Sequence, residues 1–103
     1  MAAQHNIKIP KNKIADFCRR HHIRKLALFG SVLRRDFGKK SDVDVLVEFD
    51  PRHVPGLFKL ADMKSELSTL IEHPRVDLRT PQDINHLFRD DVISSAEVQY
   101  EQK

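Results

Sequence analysis

The chain has 103 residues, a net charge of +3 and a single cysteine. That length suits one domain over residues 1–103 with one modest core, and leaves no room for a second, acceptor-binding domain. Lone Cys18 excludes an internal disulfide, no apolar run approaches a membrane span, and Met1 to Asn6 lack the apolar centre of a secretion signal. The expected compartment is therefore the reducing cytoplasm.

Charge is divided along the chain: residues 1–40 carry +9 and residues 41–103 carry −6. A basic first half attracts polyanions such as a nucleoside triphosphate. Pro10 suits the first turn of a helix. From Lys11 onward, Ile14, Phe17 and Cys18 recur at helical spacing, which predicts an amphipathic helix with Cys18 as a small core residue. A first strand is expected from Ile23 and ends in the apolar run Leu26-Ala27-Leu28-Phe29. Gly30 then permits a tight turn. Ser31 can cap a short helix over Val32 to Asp36. A strand, Gly-Ser and a helix start would present N–H groups and a hydroxyl to an anion. Arg34 and Arg35, three and four residues beyond Ser31, could fold over that anion.

The next run, Ser41-Asp42-Val43-Asp44-Val45-Leu46-Val47-Glu48-Phe49, is the most informative of the chain. In a strand it places Val43, Val45, Val47 and Phe49 on one face and Asp42 and Asp44 on the other. The two acids would then have Cα atoms about 6–7 Å apart. Like charges at that spacing call for a cation between them. A divalent metal fits, or a pair of metals about 3.5–4 Å apart.

Residues 50–56 read as a loop. A helix follows, with Leu57, Leu60, Ala61, Lys64, Leu67 and Ile71 on one face and Ser65, Glu66 and Ser68 on its wet side. His73-Pro74 ends it. Val76-Asp77-Leu78-Arg79-Thr80 is a short strand, and Asp77 could complete a carboxylate triad with Asp42 and Asp44. A helix start is expected at Pro81 to Ile84. A last helix, from about Arg89 to Tyr100, would lay Phe88, Val92 and Ala96 as a lid on the sheet. The six histidines show no metal-ligand spacing. Helix, strand, short helix, strand, helix, strand, helix implies a small mixed sheet flanked by helices, in the α/β to α+β range.

Phe29-Gly30-Ser31-Val32-Leu33-Arg34, the Asp42-Val43-Asp44 strand and Val76-Asp77-Leu78 together resemble the minimal nucleotidyltransferases of the polymerase-beta-like superfamily. Arg35 departs from the glycine, and Leu33 from the alanine, that many members carry. The resemblance implies that Gly30 and Ser31 hold the phosphates of a nucleotide, ATP or another triphosphate, and that Arg34 contacts phosphate. It implies magnesium, as two ions, on Asp42 and Asp44. Asp77 is the implied third carboxylate, sharing a metal or activating the acceptor hydroxyl. It further implies an antitoxin that transfers AMP to a tyrosine of a small helical HEPN-type ribonuclease toxin. The alternatives are a non-catalytic module that neutralises its partner by contact, and a transferase acting on a small molecule or RNA. Direct nucleic-acid binding is not expected.

Overall fold

The computed structural model describes residues 7, 9–33, 38 and 40–102. In chain order they form α1 (Lys11–Arg20), β1 (Ile23–Phe29), a 3-10 turn (Gly30–Leu33), β2 (Val43–Phe49), α2 (Leu57–Ile71), β3 (Val76–Arg79), α3 (His86–Ser95) and β4 (Glu97–Glu101). Two further 3-10 turns cover Pro51–His53 and Pro81–Asp83. The strands form one mixed sheet in the order β3-β2-β1-β4. β1 runs antiparallel to β2 and to β4, and β2 runs parallel to β3. A parallel pair needs a crossover, and α2 supplies it.

Alternation in β2 does what its sequence requires. Val43, Val45 and Val47 are buried, and they meet Leu26 and Leu28 of β1 and Val76 of β3. Against this face α1 sets Ile14, Phe17 and Cys18, and α2 sets Met63, Leu67 and Ile71. The same small α+β architecture was expected from the order of elements. Among the described residues, no helix is long and apolar enough to cross a membrane.

Four expectations are corrected. The buried stripe of α2 runs through Leu60, Met63, Leu67 and Ile71, not through Leu57, Ala61 and Lys64, which are exposed. Two arcs of this helix are apolar enough to pack, and docking against β3 selects the one that holds Met63. Glu66 is not simply wet: it accepts hydrogen bonds from Arg20 and pairs with His21 Nε2 at 2.9 Å, tying α2 to α1. The largest correction is at the end of the chain. The last helix stops at Ser95, Ala96 is extended (φ −64°, ψ 142°), and the chain continues as β4. Tyr100 pairs with Leu26 and Val98 with Ala27, so this segment covers the otherwise free edge of β1. Nor is α3 a lid. None of its residues is buried, and Leu87 and Phe88 are 71% and 58% exposed.

Candidate functional site

The site forms where the end of β1 lies beside the starts of β2 and β3. Phe29, the last residue of β1, pairs with Asp44. The next residue must turn away sharply, and Gly30 does so at φ +76°. Side-chain-bearing residues avoid that region. The turn is also crowded: a Cβ on Gly30 would lie 2.5 Å from Asp44 Oδ2. The glycine therefore lets the backbone lie directly against the carboxylate. Val32, 1% exposed, anchors the turn in the core.

Ser31 is expected to cap a helix over Val32 to Asp36, of which residues 34–36 lie outside the described residues. Ser31 itself lies within the 3-10 turn Gly30–Leu33, and its hydroxyl donates to the Asp42 carbonyl at 3.1 Å. That bond ties the Gly-Ser turn to the start of β2. Arg34 and Arg35, the predicted phosphate contacts, lie outside the described residues.

Parallel pairing does what no local sequence pattern could. Asp44 stands directly beside Asp77, with Val43 beside Val76, and Val43 N–H donates to the Arg75 carbonyl at 2.8 Å. Asp42 precedes β2 and is exposed. The three predicted acids thus meet at one end of the sheet. Asp44 registers the crowding: burial pushes its carboxyl above the usual range, and the Asp77 and Asp42 charges push it further, with Arg79 opposing them. Two guanidiniums offset the negative charge. Arg79 Nε donates to Asp77 Oδ2 at 2.9 Å, and Arg75 Nη1 stands 3.8 Å from Asp42 Oδ1. With Asp77 drawn to Arg79 and Asp42 to Arg75, no three acid, imidazole or thiol side chains among the described residues converge as a closed ligand cluster. The donor chemistry still fits a hard divalent cation. All three groups are carboxylates, and their mutual repulsion is relieved by positive charge.

A cavity of about 760 Å³ opens beside the acids. Asp42 and Asp77 line it, with Lys64, Ser65 and Ser68 of α2 and Arg75 before β3. Sequence reasoning did not single out Lys64, Arg75 or Arg79. Helical spacing sets Lys64 on the face of Leu57 and Leu67 and puts Ser65 and Ser68 on the wet side, so no local pattern joins the three into one wall.

The Nucleotidyltransferase domain family matches residues 11–98, a span that contains the Gly-Ser turn and all three acids. The chain belongs to that family. This nucleotidyltransferase is 32% identical over 91 residues to a candidate protein adenylyltransferase of Methanocaldococcus jannaschii, covering 88% of this chain and 95% of that one. A solved minimal nucleotidyltransferase, so named as a candidate, superimposes with a TM-score of 0.68 at 29% identity, over 84% of this chain and 85% of that one. A more distant neighbour has a TM-score of 0.62 at 18% identity, over 89% of this chain and 70% of that one. It comes from a complex of a tri-AMPylated Shewanella oneidensis HEPN toxin with its MNT antitoxin. At that identity the likeness is one of fold. The expected minimal-nucleotidyltransferase membership is borne out, and with it nucleotidyl transfer as the reaction class.

Proposed function

We propose that this nucleotidyltransferase moves AMP from ATP to a hydroxyl of a partner protein, a tyrosine of a HEPN-type toxin, and so acts as its antitoxin in the cytoplasm. One observation carries the reading: Asp44 and Asp77 are register neighbours, with Asp42 next to them and Gly30 packed against Asp44. The names of the relatives support a protein acceptor and AMP as the transferred group.

In this mechanism the Gly30–Ser31 turn and Arg34 and Arg35 hold the triphosphate. Asp42, Asp44 and Asp77 would hold magnesium, as two ions, which supplies neutralisation of phosphate charge and a more acidic attacking hydroxyl. The hydroxyl oxygen forms a bond to the α-phosphorus. The bond from that phosphorus to the bridging oxygen breaks, and pyrophosphate leaves with the electron pair. Asp77 accepts the hydroxyl proton, and Arg79 orients Asp77 through the 2.9 Å hydrogen bond. Residues 1–103 act as one domain, and the acceptor hydroxyl comes from the partner.

The test combines the protein, ATP and magnesium with the product of the adjacent reading frame and reads intact mass. The neighbour gains the mass of AMP with the wild type and gains nothing with the Asp42→Ala/Asp44→Ala variant. An unchanged neighbour in the presence of the wild type counts against the reading. A contact-only antitoxin is the second reading, and exposed Leu57 (84%) and Phe58 (92%) favour it as docking side chains. It is supported if the double variant still protects a host from the toxin.

A further inference from the structure

The carboxylates divide the site into two sides. Gly30 and Ser31 lie on the β1 side, against Asp44 and the Asp42 carbonyl. The cavity lies on the side of β3, which is an edge strand, and none of its lining residues comes from β1 or the Gly30–Leu33 turn. Displacement at phosphorus is in line, so attacking and leaving oxygens stand on opposite sides of the transferred group. With the phosphates on the Gly30–Ser31 side, the acceptor must enter from the cavity. Asp77, the residue placed to take its proton, lines that cavity.

The cavity wall also carries selectivity. Lys64 is exposed and has no carboxylate partner among the described residues. Among the described residues the Arg75 guanidinium's one ion pair is the long 3.8 Å contact with Asp42. Ala61, Ser65 and Ser68 of α2 line the same cavity. We infer that this cavity is the acceptor subsite and selects a polypeptide segment bearing a carboxylate beside its reactive hydroxyl. Lys64 and Arg75 receive the carboxylate, and the hydroxyl is delivered over Asp77. This inference rests on the transferase reading and adds to it the chemistry of the acceptor. In the step itself the hydroxyl oxygen bonds to the α-phosphorus, pyrophosphate departs with the electrons of the broken bond, and the proton passes to Asp77.

Two synthetic twelve-residue peptides, each with one tyrosine, test it, one with glutamates and one with lysines flanking the tyrosine. The full chain is assayed with ATP and magnesium for AMP transfer, and peptide binding is followed separately by fluorescence anisotropy. The wild type is expected to favour the glutamate peptide about tenfold in kcat/KM. Lys64→Glu should raise KM for that peptide about five- to tenfold with kcat little changed, and should shift preference toward the lysine peptide. A surface-charge reversal at this exposed position does not threaten folding, and circular dichroism verifies it. The inference is overturned by equal KM values in wild type and Lys64→Glu, by wild-type preference for the lysine peptide, or by transfer to an RNA 3′ end in place of either peptide. It is also overturned if the adjacent-frame protein is modified and neither peptide is. Failure to modify any hydroxyl while ATP binds overturns the transferase reading instead.

Discussion

A methyl group placed on Gly30 would sit 2.5 Å from Asp44 Oδ2 and 3.4 Å from its Cγ. Ordinary carbon–oxygen contacts are about 3.3–3.6 Å, so in Gly30→Ala the carboxylate must retreat by roughly 0.8–1 Å. The backbone cannot relieve the clash by rotating freely, because φ +76° is fixed by the exit from β1. An alanine held in that region loses about 1–2 kcal/mol. For a domain of this size that is a fall in Tm of about 4–16 °C. A displacement near 1 Å in a group that positions reacting atoms costs about a hundredfold in rate. Calorimetry and AMP transfer to the partner measure the two effects on one preparation. Gly56→Ala is the control: nothing lies within 4 Å of the added carbon, and its effect should stay within about 0.5 kcal/mol. Wild-type Tm together with wild-type transfer in Gly30→Ala would refute the close packing of Gly30 on Asp44.

Asp44→Asn should abolish transfer yet raise stability at neutral pH. The Asp44 carboxyl is shifted upward by burial and by its acidic neighbours, so ionising it costs folding free energy as pH rises above the unfolded value. Asparagine avoids that cost, and the gain should vanish below the usual carboxylate range; urea midpoints at neutral pH and near pH 3 decide it, and a destabilised variant at neutral pH would count against this account. Burial pushes the Cys18 thiol from 9.0 up to about 12. Its contribution is therefore intact below pH 9.0 and is lost as pH rises toward 12; in native protein at pH 8 the thiol should react with a disulfide reagent only as fast as the fold opens, and rapid stoichiometric labelling would contradict its burial. Leu67→Ala, which removes a side chain 1% exposed, should cost about 2–5 kcal/mol in urea unfolding, whereas loss below 1 kcal/mol would show that the stripe of α2 is not packed as described.

The sequence by itself determined the strand Val43–Phe49, its buried valine face, the Gly30 turn and the identity of all three acids. Each of these follows from local chemistry. Period-two alternation fixes which side chains share a face, and glycine is the residue that takes a left-handed turn at least cost. Helix α1 was equally legible, because Ile14, Phe17 and Cys18 mark a single unambiguous apolar arc. In α2 two arcs competed, and packing on β3 chose the one with Met63. The segment Glu97-Val98-Gln99-Tyr100-Glu101 alternates polar and apolar residues, yet a five-residue strand has little identity without a partner. The open edge of β1, made by residues seventy positions earlier, turned it from helix to strand. The same kind of long-range pairing made the site. Asp77 became the neighbour of Asp44 through the parallel register of β2 and β3, and Lys64 and Arg75 became cavity walls because α2 crosses from one strand to the other. Local sequence named the chemical groups; the crossover and the strand register decided which of them face each other, because those contacts join residues with no proximity along the chain.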